Sequence, residues 1–130
     1  MLLRLRVLGG ELAIARLGPG EDVPGWATGA GDAGPHAVVR TRAELSIVCD
    51  GARVPDGVRA ERGWRALEVE GPLDLGLTGV LSALLASLAD AGVPIFAVST
   101  YDTDYVLVRS ERLADAVAAL RGAGHAVMGA

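Results

Sequence analysis

Lysine, asparagine and glutamine are absent from this chain of 130 residues. Without a lysine amine, the chain cannot form the Schiff base on which one class of covalent enzymes depends. It also lacks the lysine with which a Walker-type phosphate loop reaches the phosphates of a nucleotide. These absences exclude Schiff-base catalysis and P-loop nucleotide hydrolysis.

Cysteine and aromatic residues are scarce. Cys49 is the only cysteine, so no disulfide forms within the chain, and we expect a reducing, cytoplasmic setting. The first residues carry arginines inside an apolar run and have no cleavage site, so we expect no signal peptide. The aromatic residues are Trp26, Trp64, Phe96, Tyr101 and Tyr105.

Basic residues are outnumbered, 12 against 16 acidic residues, which gives a net charge of -4 at pH 7. Nucleic-acid binding needs a clustered basic face, and the arginines are scattered, so we expect no nucleic-acid partner. The apolar stretch at 75–98 has the length of a membrane span, but Asp90, Gly92 and Pro94 divide it. We therefore expect an amphipathic helix followed by a strand, and no membrane partner.

The second half of the sequence alternates between strand and helix periods. Leu67 and Val69 alternate with glutamates, which predicts a strand that ends at Gly71-Pro72. The helix that follows is predicted by apolar residues at three- and four-residue spacing: Leu77, Val80, Leu81, Leu84, Leu85 and Leu88. Asp74 or Thr78 is expected to cap its start, and Gly92 to end it.

The remaining elements complete a repeating order. The apolar run at 95–98 predicts a strand buried on both faces, and 105–108 predicts the next strand after a turn at 101–103. Ser110 is expected to cap a second helix, and residues 126–128 close as a strand. The order strand, helix, strand, strand, helix, strand is the split βαβ, ferredoxin-like plan, with both helices on one face of the sheet.

The first half predicts four strands and weak helices. Leu3, Leu5 and Val7 alternate with arginines, and Gly9-Gly10 then predicts a hairpin turn into a strand at 12–17. A second strand pair is predicted around 38–39 and 45–49. We therefore predict an α+β protein of two ferredoxin-like halves with antiparallel sheets, in which residues 1–60 form a degenerate copy and 61–130 the complete unit.

Three segments of the second half carry a resemblance to a known family. They are residues 64–74, 77–81 and 95–108, and the last contains the run Ser99-Thr100-Tyr101-Asp102-Thr103-Asp104-Tyr105. These segments resemble bacterial ACT-domain proteins of the tandem-ACT type, which are related to the cytosolic arginine sensors (CASTOR-like). The resemblance implies two ACT folds, the N-terminal one degenerate, with a small ligand, usually an amino acid, held where ACT units meet.

In the arginine sensors the pocket uses the loop that opens the first helix and the turn after the second strand. Carried over to this chain, the resemblance implies the pocket residues Gly71, Asp74, Leu77, Val80, Thr100, Tyr101 and Asp104. The helix entrance adds Thr78 and Gly79, because free backbone amides and the positive end of the helix dipole can hold a carboxylate. Close strand–helix packing is the alternative reason for Gly76 and Gly79 at this entrance. The chain has one tandem pair where the sensors have two, so a homodimer is the alternative to a pocket within one chain.

Other motifs have competing explanations. Residues 29–34 match G-x-G-x-x-G, but prolines flank them where dinucleotide binding needs a strand before and a helix after, so we interpret them as a loop. Cys49 could pair with His36 or His125 as a nucleophile, or be an inert buried cysteine. The two histidines lack zinc-site spacing, so we expect no metal.

The aspartates of the second half also leave two interpretations. Asp74, Asp102 and Asp104 could serve acid–base chemistry, whereas a cap and a turn former explain the first two. Asp104 opens an otherwise apolar strand, so it is either exposed at the sheet's end or directed at a ligand.

These observations together predict a regulatory protein that senses a small molecule, uses no cofactor and is not an enzyme. We expect an amino-acid ligand at the ACT–ACT interface and a homodimer that reports its binding. The alternatives are a structural or protein-interaction module with a degenerated pocket, and a cofactor-free enzyme.

Overall fold

The computed structural model describes residues 1–29, 31, 33–73 and 78–129. In this part of the chain the strands are β1 (Arg4–Val7), β2 (Leu12–Leu17), β3 (Ala37–Arg40), β4 (Leu45–Asp50), β5 (Ala60–Val69), β6 (Phe96–Ser99), β7 (Asp104–Arg109) and β8 (Ala126–Met128). The α-helices are α1 (Val80–Asp90) and α2 (Leu113–Gly122). Single 3-10 turns lie at Gly25–Ala27, Gly51–Arg53 and Ser110–Arg112.

The ten-residue strand β5 organises the single sheet to which all these strands belong. β1 pairs with the last residues of β5 and β2 with its first, both antiparallel, while β7 pairs with residues 64–68 of β5, also antiparallel. The hairpin predicted at Gly9-Gly10 is therefore wrong, because β1 and β2 each pair with β5 and not with each other. The Leu8 amide also donates to the Ala66 carbonyl at 3.0 Å. β1 and β2 therefore pair with β5 one after the other, and the two glycines lie between them.

The order of elements from β5 onward is the predicted one, and the α+β, ferredoxin-like fold class is confirmed. β1 is inserted in this unit between β5 and β8, antiparallel to the first and parallel to the second. β4 and β3 extend the sheet beyond β2. The first half thus contributes four strands, and no α-helix within its described residues, to a sheet that it shares with the second half. The boundary near residue 60 stays a prediction.

Both helices contribute to the core on one face of the sheet. Because side chains alternate along a strand, Leu5, Leu67 and Val106 point to the same side, where they meet Leu84 and Leu120. All five are fully buried, and burying a side chain of this size contributes about 1.5–3 kcal/mol. The predicted apolar stripe of α1 supplies its buried residues, which are Val80, Leu84 and Leu88.

The helix ends agree with the sequence only in part. α1 ends as predicted at Gly92, which has φ +70°, and the Val93 amide donates to the Leu88 carbonyl at 2.9 Å. The capping role predicted for Ser110 is wrong, because Ser110 begins a 3-10 turn and the N-cap position of α2 is Arg112. The Ser110 hydroxyl donates instead to the Gly63 carbonyl at 2.9 Å. Neither helix of the described residues is long and apolar enough to cross a membrane.

β6 is less buried than its apolar sequence predicts. It pairs only with β7, so it is an edge strand, and its residues alternate between half-buried and exposed. The predicted burial on both faces is therefore wrong. An unbroken apolar run is typical of a strand covered on both faces, and here the run fails because only one neighbour is present.

The described residues of the glycine-rich motif (Gly29, Gly31, Ala33 and Gly34) belong to no helix or strand. Ala33 packs on the face of the sheet opposite the helices, with Leu12 and Ala66. Ala30 and Asp32 lie outside the described residues. The next element is β3 and not a helix. Gly34 has φ +147°, and a Cβ atom at this position would lie 2.9 Å from the Ala66 Cβ. Close packing of the loop on the sheet thus accounts for Gly34.

Candidate functional site

A cleft of about 330 Å³ opens between the start of α1 and the turn that joins β6 to β7. Residues 79–82 form the α1 wall and residues 99–104 form the turn wall, with Leu73 also lining the cleft. The volume lies at the lower end of the range for small-molecule sites. A cleft of this size suits a metabolite of few atoms.

The α1 wall presents backbone amides. The helix begins after Gly79, which has φ +85°, and no side chain caps it. The Ala83 amide donates to the Gly79 carbonyl at 2.9 Å. The amides of residues 80–82, which precede that bond, have no acceptor within the helix. Together with the partial positive charge at a helix N-terminus, they make this wall suitable for a carboxylate.

The turn wall presents side-chain oxygens in a fixed arrangement. Ser99 and Asp104 form the last cross-strand pair of β6 and β7, and the Ser99 hydroxyl donates to the Asp104 carboxylate at 2.5 Å. The Thr100 amide donates to the Thr103 carbonyl at 2.8 Å, which closes the turn between them. Asp104 is half-buried, and it lies on the helix-covered side of β7 with Val106. The hairpin therefore directs this carboxylate toward the cleft.

The charges of the cleft are of one sign. Asp102 and Asp104 are the charged side chains among the described residues that line it. Amide donors thus lie on one wall and carboxylates on the other. A molecule that carries both a carboxylate and a cationic group would find complementary partners on both walls.

The structure brings together five of the residues predicted for the site, which are Gly79, Val80, Thr100, Tyr101 and Asp104. Thr78 is exposed immediately before them and does not line the cleft. Gly71 lies behind the turn, where a Cβ would be 3.1 Å from the Asp102 carbonyl oxygen. Asp74 and Leu77 lie outside the described residues.

Six lining residues were not among the predicted site residues: Leu73, Leu81, Ser82, Ser99, Asp102 and Thr103. Ser99 could have been found by counting back across the predicted turn, since it is the partner of Asp104 in the hairpin register. No pattern in the sequence indicates Thr103, because its hydroxyl contacts the carbonyl of Val69 in β5, 34 positions away.

Tyr105 follows Asp104 in the sequence, but its side chain lies on the other face of the sheet, where it packs with Leu107. Its hydroxyl donates to the Glu68 carboxylate at 2.8 Å. Burial, followed by this bond, raises the pKa of Tyr105 to about 12. Tyr105 therefore does not belong to the cleft.

Cys49 is fully buried, and burial, with a smaller effect of Asp50, raises the pKa of its thiol. His36 lies 3.2 Å from the Asp50 carboxylate, and His125 accepts a hydrogen bond from the Leu3 amide at 3.0 Å. Neither histidine is bonded to Cys49 in the described part of the chain. A raised pKa disfavours the thiolate that a nucleophile needs, so the contacts favour an inert buried cysteine.

Two family models match the chain. The model of the ACT domain matches residues 59–122, and a model that describes an N-terminal domain matches residues 10–57. No curated protein matches. The match confirms the ACT domain predicted from the residues, and the matched segment contains both walls of the cleft. The relation to the arginine sensors stays a prediction.

Solved structures share the fold. Protein Atu0741 from Agobacterium tumefaciens is 38% identical, with 98% of this chain and 93% of that chain covered and a TM-score of 0.91. VC0802 from Vibrio cholerae, described as a protein of unknown function, is 17% identical, with 93% and 89% covered and a TM-score of 0.70. The regulatory subunit of aspartate kinase from Thermus thermophilus is 14% identical, with 91% and 97% covered and a TM-score of 0.58. At these lower identities the likeness concerns the fold alone.

Proposed function

From its membership in the family of Atu0741 and its ACT domain at residues 59–122, we propose that this chain is a small-molecule-binding regulatory protein with no catalytic activity of its own. Its ligand is an amino acid held in the cleft between α1 and the β6–β7 turn. The fold shared with an aspartate kinase regulatory subunit supports a regulatory role, because that relative is itself described as regulatory.

The observation that carries this proposal is the opposition of amides and carboxylates across the cleft. The α-carboxylate of an amino acid would accept hydrogen bonds from the amides of residues 80–82. Its ammonium group, or a cationic side chain, would bind Asp104 and Asp102. The resemblance to arginine sensors supports arginine as the first ligand to test, and a guanidinium group matches a carboxylate in geometry.

We propose a homodimer as the unit that transmits binding. β3 is an edge strand with Val38 and Val39 44% and 54% exposed, respectively. An exposed edge of this kind pairs readily with another chain. Pairing with a second copy would cover these valines.

A thermal-shift screen against the twenty amino acids tests the proposal. A ligand at about a hundred times its Kd adds roughly 2.7 kcal/mol of stability. For a chain of 130 residues this raises Tm by about 10 °C. Arginine is expected to give the largest rise. A flat response to every amino acid would contradict the proposal and favour a structural module, while chemical turnover of the added compound would favour an enzyme.

Substitution of Asp104 tests the location of the site. Loss of one partner from a buried charge pair costs about 2–5 kcal/mol, so Asp104→Asn should weaken arginine binding by at least about thirtyfold in calorimetry. Asp56→Asn is the matched control, because Asp56 is exposed outside the cleft. Unchanged affinity in Asp104→Asn would mean that the ligand binds elsewhere.

A further inference from the structure

Thr103 is a polar residue in an unusual environment for its type. It is only 9% exposed, although it lies in a surface turn. Its hydroxyl donates to the carbonyl of Val69 at 2.6 Å, and these residues are 34 positions apart in the sequence. The backbone pairing of β5 with β7 ends one residue earlier, at Glu68 and Tyr105. The hydroxyl thus continues the link between β5 and β7 by one further hydrogen bond.

The segment after β5 contacts the same turn. The Leu73 amide donates to the Asp102 carbonyl at 2.6 Å. The two segments are too close for a side chain at Gly71, since a Cβ atom there would lie 3.1 Å from the Asp102 carbonyl oxygen and 3.2 Å from the Thr103 Cβ. The segment that leads into α1 is therefore joined to the turn wall at the base of the cleft.

Hydrogen bonds between Thr100 and Thr103 close the turn on itself. The Thr100 amide and hydroxyl both donate to the Thr103 carbonyl, at 2.8 and 3.1 Å. The Thr103 amide donates back to the Thr100 hydroxyl at 3.3 Å. Asp102 and Asp104 flank Thr103 in sequence, so any displacement of Thr103 displaces both carboxylates of the cleft.

We infer that Thr103 is a positioning residue: its hydroxyl holds the turn that bears Asp102 and Asp104 at a fixed separation from the amides of α1, and so sets the affinity of the cleft. This inference rests on the proposed function. A ligand that contacts both walls gains its full affinity only if their separation is fixed before it binds. Thr103 itself need not touch the ligand.

Hydrogen exchange measured by NMR on the unliganded protein tests the first part of this inference. Thr103→Val keeps the shape of the side chain and leaves the Val69 carbonyl unpaired, which costs on the order of a tenfold change in the opening equilibrium. The Leu73 and Thr100 amides should then exchange at least about tenfold faster. Thr103→Ser, which keeps the hydroxyl, should restore slow exchange. The His125 amide, bonded to Leu120 at 3.0 Å in another part of the fold, is the control for global loosening.

Calorimetry with L-arginine as the probe tests the second part. Thr103→Val should bind it at least about tenfold more weakly, and Thr103→Ser within about threefold of the parent protein. Equal exchange at Leu73, or equal affinity of Thr103→Val and the parent, would overturn the inference. If the parent does not bind L-arginine, the choice of ligand fails and the exchange measurement still decides whether Thr103 holds the turn.

Gly71→Ala is a second variant, which perturbs the contact between Gly71 and the turn, in case Thr103→Val does not fold. A Cβ at this position presses on the Asp102 carbonyl and the Thr103 side chain. We expect faster exchange at Thr100 and weaker arginine binding while the His125 amide is unchanged. Parent-like values for both in a folded Gly71→Ala protein would contradict the inference.

Discussion

Substitution of Gly34 by alanine tests the explanation of the glycine-rich motif by packing. Gly34 has φ +147°, a region that residues with a Cβ rarely adopt. The added Cβ would also lie 2.9 Å from the Ala66 Cβ and 2.9 Å from a Leu12 methyl carbon. The Ala66 Cβ is attached directly to the backbone of β5, and the Leu12 side chain is fully buried in the core, so neither has room to move away.

The expected loss of stability is the sum of the backbone strain and the cost of the two close contacts. Backbone strain of this kind costs about 1–3 kcal/mol, and overpacking of a filled site costs about 1–3 kcal/mol more. The free energy of unfolding should fall by about 2–6 kcal/mol in urea denaturation. For a chain of 130 residues, each kcal/mol corresponds to about 4 °C, so Tm should fall by roughly 8–24 °C.

Gly57→Ala is the matched control. A Cβ atom on Gly57 would meet no other atom within 4 Å, and the φ of this residue is not positive. Its substitution should therefore change the free energy of unfolding by less than about 1 kcal/mol. Equal stability of the two variants would refute the packing explanation. The motif would regain its interpretation as a dinucleotide site if NAD raised the Tm of the parent and not that of Gly34→Ala. We expect no effect of NAD on either protein.

Two further measurements test other parts of the structure. In a Tyr101→Phe background, ultraviolet titration of the remaining tyrosine should give a midpoint near 12, and Glu68→Gln should lower it. Because the pKa of Tyr105 in the folded protein is raised above 10, the contribution of this residue to stability is complete below pH 10 and is lost as the pH rises toward 12. A titration midpoint at 10 would refute the burial of this hydroxyl. Light scattering should report twice the mass of one chain, and Val39→Asp should halve that mass; a monomer at all micromolar concentrations would contradict the homodimer.

The elements of the second half were predictable because each follows a local period. Leu67 and Val69 alternate with polar residues, and the stripe that contains Leu84 and Leu88 repeats at helical spacing. In each case one face is buried whatever its neighbours are, so the pattern identifies the element before its partners are known. The ACT domain was likewise predicted from contiguous runs of residues, and the family match at residues 59–122 confirmed it.

Predictions failed where a local solution competes with a partner from a distant part of the chain. Gly9-Gly10 satisfies the chemistry of a hairpin turn, but β5 is long enough to pair with β1 and β2 in succession. Ser110 has the chemistry of a helix cap, but its hydroxyl donates to the Gly63 carbonyl, and Ser110 begins a 3-10 turn that precedes α2. Residue type alone does not distinguish these outcomes, because the competing partner comes from a distant part of the chain.

The sequence by itself determined the element types of the second half, the fold class and the stretch from which the turn wall is built, since these depend on neighbouring residues. Only the tertiary structure decided that β1 inserts between β5 and β8, and that the hydroxyl of Thr103 meets the carbonyl of Val69. Contacts of this kind join residues that share no period and no motif. They arise when burial of the common core brings separate segments together, so the geometry of the cleft belongs to the folded chain as a whole.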